Sequence, residues 1–292
     1  MTVQMKALAP VAALLLGSPL LAACPGGGSK YPQPSNATTV EQITARLDTA
    51  RKTRTSFRVE TLMDYWLGKD RAKGTVWVMG TTAKQVRFNA LKPSGDVLVD
   101  MACDGNNFTF VDFQNNCQLA GPCNKSSIAS LLRVELAPED FHHMAQGIPP
   151  TISSTGTVTW DAAKGYERVK LEGPEGVQNL VIDARDGNFD VLTAELIGRD
   201  GKVTWSLENT DFRTVADDKD KTVKHRVPGK TRFKSPQENA DLLVEWMDDQ
   251  RAINLPLEAG KFSVPIPAGL PSCGRSAPTP APSEASPAPK SP

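Results

Sequence analysis

Between Thr55 and Gly147 apolar and polar residues alternate in short runs separated by Gly, Pro, Asn and Asp. The pattern predicts strands over Ser56–Trp66, Gly74–Gly80, Lys84–Leu91, Asp96–Cys103 and Asn107–Asp112. The turns between them are too short for anything but antiparallel neighbours. Alternation sets Phe57, Val59, Trp77, Met79, Val86, Phe88, Val99, Met101, Phe108 and Phe110 on one apolar, aromatic face. Arg58, Glu60, Val78, Gly80, Arg87, Asn89, Thr109 and Val111 fall on the other. An apolar sheet face needs a cover, and helical spacing follows directly. Ser126–Val134 carries Ile128, Leu131 and Leu132, and Pro138–Gln146 carries Phe141 and Met144, with Gly147 and Pro149-Pro150 ending the pair. Together these patterns predict a curved sheet under a helical lid.

Ahead of the first strand, Val40, Ile43, Leu47 and Ala50 recur at helical spacing, with Thr38 or Thr39 as a cap before Glu41 or Gln42. After the lid, strands are predicted over Gly156–Asp161, Tyr166–Glu172, Val177–Asp183, Val191–Ile197, Lys202–Arg213 and Asp241–Asp249. A broken strand is predicted between Thr222 and Phe233. Gly173-Pro174-Glu175-Gly176, Asp186-Gly187-Asn188 and Asp200-Gly201 are hairpin signals, and nothing between them has the length of a crossover helix. The chain is thus read as mainly β with an α lid: one antiparallel sheet long enough to curl into a half-open barrel.

The ends change the picture. Lys6, an apolar centre over Ala7–Leu16 and Leu21-Ala22-Ala23-Cys24 predict a lipoprotein signal peptide over residues 1–23, with Cys24 as the acylated first mature residue, rather than an ordinary secretory signal in which Cys24 is incidental. The apolar run is too short for a membrane span. Each buried acyl methylene contributes about 0.8 kcal/mol, so several chains on Cys24 anchor the protein to a membrane. Pro25 stands where an Asp would hold a lipoprotein at the inner membrane of many Gram-negative bacteria, which favours the outer membrane, and the expected location is lipid-anchored on its periplasmic face. Residues 24–37 read as a tether and 274–292, rich in Ala, Pro and Ser, as an extended tail; neither buries enough apolar surface to fold. One domain spans 38–273. Basic and acidic residues balance at 33 each, and no basic stripe with interleaved aromatics is present, so nucleic acid is not a partner.

With Cys24 acylated, Cys103, Cys117, Cys123 and Cys273 remain. In an oxidising compartment an even number predicts two disulfides, with three possible pairings. If 97–103, 107–112 and 117–120 form a meander, Cys103 ends where Cys123 emerges, favouring Cys103–Cys123 and Cys117–Cys273. The spacings contain no C-x-x-C pair for zinc. His142-His143 beside Glu139 and Asp140 is the densest ionisable cluster. With no third ligand signalled, it reads as a solvated helix edge rather than a metal site. The sequence has no G-x-S-x-G elbow, Walker loop or dinucleotide fingerprint, so neither an enzyme nor a cofactor is predicted.

Several pieces, in this order along the chain, carry a resemblance: the helix running into Ser56-Phe57-Arg58-Val59, the strand Gly74-Thr75-Val76-Trp77-Val78, the turn Lys92-Pro93-Ser94-Gly95 and Asp104-Gly105. Leu131-Leu132, Pro138-Glu139-Asp140-Phe141 and Gly147 continue it in the lid. Ile253-Asn254, Phe262-Ser263-Val264-Pro265 and Pro267-Ala268-Gly269 end it. Over about Val40–Leu270 the chain resembles the LolA/LolB superfamily of periplasmic lipoprotein carriers and receptors. The resemblance implies a half-open barrel of about eleven strands whose helices close an apolar cavity for acyl chains. The chain departs from the soluble carrier in its lipobox. It departs from the receptor in having no apolar residue in Lys92-Pro93-Ser94-Gly95-Asp96, and from both in its four cysteines and its tail.

Phe57, Val59, Trp77, Met79, Val86, Phe88, Val99, Met101, Phe108 and Phe110, with Leu131, Leu132, Phe141 and Met144 of the lid, are therefore the candidate ligand-binding residues. A filled core would use the same residues. Trp160, Trp205 and Trp246, on the second half of the sheet, could line the far wall or pack it, and are read as core. Two functions follow: a monomeric, anchored module for lipid acyl chains or lipoproteins, or a non-catalytic structural or sensory envelope lipoprotein that uses the fold to meet a partner protein.

Overall fold

The computed structural model describes residues 30–33, 38–132, 136–152 and 155–273, with the side chains of residues 130–132 excepted. The signal peptide, Cys24, the tail 274–292 and the side chains of Leu131 and Leu132 lie outside the described residues. Helix α1 (Val40–Thr53) precedes β1 (Ser56–Leu67), β2 (Asp70–Thr81), β3 (Gln85–Leu91), β4 (Val97–Asp104), β5 (Asn107–Asp112) and β6 (Cys117–Pro122). Then come α2 (Lys125–Leu132), α3 (Pro138–Met144), β7 (Thr155–Asp161), β8 (Tyr166–Gly173), β9 (Gly176–Asp183), β10 (Asp190–Gly198) and β11 (Val203–Thr210). The last strands are β12 (Arg213–Ala216), β13 (Lys224–Val227), β14 (Lys230–Ser235), β15 (Ala240–Trp246) and β16 (Ala252–Ile253).

Fourteen strands form one antiparallel sheet in the order β6-β5-β4-β3-β2-β1-β15-β14-β11-β10-β9-β8-β7, with β16 also on β1. The sheet does not close: it is the half-open barrel expected, with more strands than the resemblance implied. Since β6 and β7 are opposite edges, the chain between them must cross the sheet, and α2 and α3 lie on that crossing. Ile128 of α2 is fully buried among Val86, Met101, Cys103 and Phe108. Helix α1 begins with a capping box, the Gln42 amide donating to the Thr39 hydroxyl at 3.3 Å and the Thr39 amide to the Gln42 side chain at 3.0 Å. Its Val40, Ile43 and Leu47 pack against Val169, Leu171, Leu180 and Ile182 of β8 and β9.

Two predicted strands divide. Lys202–Arg213 ends as a sheet strand at Thr210, and β12 pairs with β13 in a separate two-stranded sheet. The break within Thr222–Phe233 falls at Pro228-Gly229, where a Cβ on Gly229 would stand 2.6 Å from the Asp211 carbonyl oxygen. The hairpin is held to the start of β1 through Asp217. Its carboxylate accepts from His225 Nε2 at 2.9 Å, from Asn254 and from the amide of Lys219 at 2.8 Å. Asn254 in turn accepts from the Thr55 amide at 2.7 Å. Burial alone would push the Asp217 carboxyl up, but the donors from His225 and Asn254 outweigh it and hold it below the usual carboxylate range.

The cysteines pair as Cys103–Cys123 and Cys117–Cys273, with Cα atoms 5.4 and 4.8 Å apart. The second bridge fixes the C-terminal segment along β6, where the Gln118 amide donates to Pro271 at 2.9 Å and the Cys273 amide to Gln118 at 2.8 Å. One otherwise open edge is thereby covered.

Candidate ligand-binding site

Residues directly opposite in an antiparallel pair share a face. Val59 pairs with Val78, Thr61 with Val76 and Met63 with Gly74; Phe88 pairs with Val78 and with Met101. The inner face of β2 therefore carries Val76, Val78 and Gly80. Trp77 and Met79, predicted to face the lid, pair with Glu60 and Arg58 on the outer face. A Cβ on Gly80 would stand 2.9 Å from the ring of Phe57, so the close seat of that ring requires the smallest residue.

Between the sheet and α3 lies an apolar cavity of about 330 Å³. Its floor is Met63 and Tyr65 of β1, Val76 and Val78 of β2, Phe88 and Ala90 of β3 and Val99 of β4. Phe233, Leu242, Val244 and Trp246 from β14 and β15 make the far wall, and Leu136, Phe141, Met144 and Ala145 the roof. Phe141 meets Phe88 edge to face, with ring centroids 5.7 Å apart. Ala72, Lys73 and Gln114 line it and are exposed, which locates the mouth where β2 and β4 begin and β3 and β5 end. A register shift between Ala90 and Leu91 bends β3 there.

Among the described residues the lining contains no carboxylate, imidazole or thiol, and its one charged residue, Lys73, stands at the mouth. Thr231, in the wall, has its hydroxyl engaged: it donates to Asn209 at 2.9 Å and accepts from Trp246 Nε1 at 3.0 Å. Such a site can hold an apolar group and exclude water.

Of the predicted site residues, the structure brings Phe88, Val99, Phe141 and Met144 to the cavity. Phe57 and Val59 are packed in the core beside Ala145 and Trp246, and Val86, Met101 and Phe108 in the core under Ile128, with Phe110 packed against it. Trp246 lines the cavity rather than merely packing. Trp205 is core, stacked on Phe233 at 6.1 Å, and Trp160 donates to the carbonyl of Tyr31 at 3.1 Å. The far wall beyond Trp246 was missed because the neighbourhood of β1 and β15 joins residues more than 170 apart in sequence, which no local pattern records.

His142 and His143 are not a solvated edge. His142 is 0 % exposed, and its Nε2 donates to the Arg54 carbonyl at 2.8 Å. The guanidinium of Arg54 donates to the Gln146 carbonyl at 2.6 Å. These bonds tie the end of α3 to the start of β1. Burial lowers His142, lowers Arg54 to about 10, and, with the nearby His142 and Arg51, lowers His143 to about 4. Among the described residues no group of three His, Cys, Asp or Glu could hold a metal, and no helix is long and apolar enough to cross a membrane.

Neither a family model nor a curated protein matches the sequence. Solved structures match the fold. A LolA superfamily protein from Nitrosomonas europaea is 13 % identical, with a TM-score of 0.50 over 78 % of this chain and 99 % of its own. A DUF1329 family protein from Desulfovibrio piger is also 13 % identical, with a TM-score of 0.50 over 76 % and 94 %. A putative outer membrane lipoprotein-sorting protein domain from Vibrio parahaemolyticus is 9 % identical, with a TM-score of 0.52 over 76 % and 94 %. The fold is LolA-like.

Proposed function

We propose that the protein is a lipid-anchored envelope lipoprotein that holds an acyl chain, of a lipid or of another lipoprotein, in the cavity beneath α3. The observation that carries this reading is the cavity itself, about 330 Å³ walled by aliphatic and aromatic side chains. An apolar cavity of about 150 Å³ stays dry and takes up benzene. This one has room for on the order of a dozen carbons by the same proportion. At about 0.8 kcal/mol per methylene, ten buried methylenes supply a gross ~8 kcal/mol, the scale of a micromolar complex before immobilisation is subtracted.

Cys24 is the acylated anchor in this proposal, and Pro25 in place of Asp supports the outer membrane as its site. The LolA-like fold of the lipoprotein-sorting domain supports the lipid reading, and a lining made almost wholly of aliphatic and aromatic side chains supports binding over catalysis. The test is a titration with a fluorescent fatty acid on wild type and on Phe141→Glu. A carboxylate in the roof must be solvated or neutralised at a cost of several kcal/mol when the ligand is present. Binding by the wild type and its loss in a folded Phe141→Glu support the proposal. A wild type that binds nothing, beside a variant that unfolds, means that the space belongs to a packed scaffold.

A further inference from the structure

The pairing registers divide the strand ends into two rims. Following Asp161↔Tyr166, Tyr166↔Asp183, Asp183↔Asp190, Thr210↔Lys230 and Lys230↔Glu245 across the sheet leads to Trp246, opposite Thr61 on the first half of β1. The β7–β8 turn therefore lies on the rim where β1 begins and β2 ends. The cavity mouth, marked by the exposed Ala72, Lys73 and Gln114, lies on the opposite rim, where β1 ends and β2 begins. Strands β1 and β2 have twelve residues each, which at about 3.3 Å per residue separates the rims by roughly 40 Å along the strands.

The segment that leads back to Cys24 is fastened to the first rim. The Tyr31 amide donates to Ala162 at 3.0 Å, and its carbonyl accepts from Trp160 Nε1 at 3.1 Å. The Arg185 guanidinium lies over the Tyr31 ring, 5.7 Å from its centroid, and is itself bound to Asp183 at 2.9 Å. Lys30 stands six positions after Cys24, a reach of at most about 20 Å. A headgroup layer holding acyl chains on Cys24 is thus within reach of the β7–β8 turn, with its exposed Ala163 and Lys164, and out of reach of the mouth.

Resting on the acyl-chain reading above, we infer that the β7–β8 turn is the surface that faces the anchoring bilayer. The cavity mouth then opens away from that bilayer, so the ligand is exchanged on the side remote from the protein's own membrane. The other end of the described chain agrees with this polarity: Cys273, bridged to Cys117, leaves from the rim of the mouth. There the exposed Val97 and Phe113, 37 % and 42 % accessible, stand beside the opening.

The test places a photo-crosslinking amino acid at Lys164 or at Phe113 of the full acylated chain in phosphatidylethanolamine–phosphatidylglycerol vesicles carrying labelled phospholipid. Label should enter severalfold more from position 164 than from 113, and Tyr31→Ala, which frees the segment, should narrow the difference. Equal labelling, or more from 113, overturns the inference. Fatty-acid binding measured on the same samples separates the two claims. A protein that labels from 164 but binds no fatty acid retains the orientation and loses the cavity reading. A chain that never enters the membrane fraction loses the anchor and the orientation together.

Discussion

Ala90→Leu tests whether the space under α3 is hollow. Ala90 lies on the inner face of β3, opposite Val76 on one side and Val99 on the other, and all three line the cavity. The substitution adds three carbons. In a hollow site they are buried without displacing anything, and at about 0.8 kcal/mol each they contribute ~2.4 kcal/mol, less about 0.5 to 1 kcal/mol of lost rotamer freedom. The net, about 1.5 kcal/mol, raises Tm by roughly 3 to 6 °C in a domain of this size. In a filled core the same three carbons would overpack and destabilise by about 1 to 3 kcal/mol. The sign of the shift therefore decides, and differential scanning calorimetry of ligand-free protein reads it. The added carbons also take the place of about three ligand methylenes, so fatty-acid affinity should fall about fiftyfold. A lowered Tm with unchanged binding refutes the reasoning.

Cys24→Ala should move the protein from the membrane to the soluble fraction and abolish incorporation of labelled palmitate; an unlabelled, soluble wild type contradicts it. Loss of Cys117–Cys273, which closes a separation of 156 residues, should destabilise more than loss of Cys103–Cys123, which closes 20. Loop-closure entropy puts the two at about 5 and about 3 kcal/mol, readable by denaturant melts of the paired Ser variants. His143, lowered to about 4 by burial, is neutral in the folded protein where the unfolded chain would already be charged. Its contribution is complete above about pH 6.5 and is lost as pH falls toward 4. Tm should thus decline across that window, and less steeply in His143→Asn; a flat profile in the wild type contradicts it.

Legibility in the sequence followed the range of the signal. Short turns such as Lys92–Asp96 and Asp200-Gly201 made neighbouring strands readable, because hairpin pairing is local. The meander also put Cys103 near Cys123. The facing of β2 was not readable: Val76, Trp77, Val78 and Met79 are apolar on both faces, so alternation had no phase, and aromatic size was a poor guide. The registers with β1 and β3, Val59 and Phe88 against Val78, set it. The cavity was half legible for a related reason. Phe88, Val99, Phe141 and Met144 lie within one local block, whereas Leu242, Val244 and Phe233 arrive through the non-local pairing of β15 with β1. His142 looked like surface because its neighbours are Glu139, Asp140 and His143, yet the crossing from β6 to β7 turns it toward the Arg54 carbonyl.

The most direct measurement of the central claim is native mass spectrometry of the protein released gently from its own membranes. Occupancy of the cavity predicts a species heavier than the acylated chain by one acyl-bearing molecule, lost on collisional activation and absent from Phe141→Glu. A wild type found only at the mass of the acylated chain, with nothing released on activation, contradicts it.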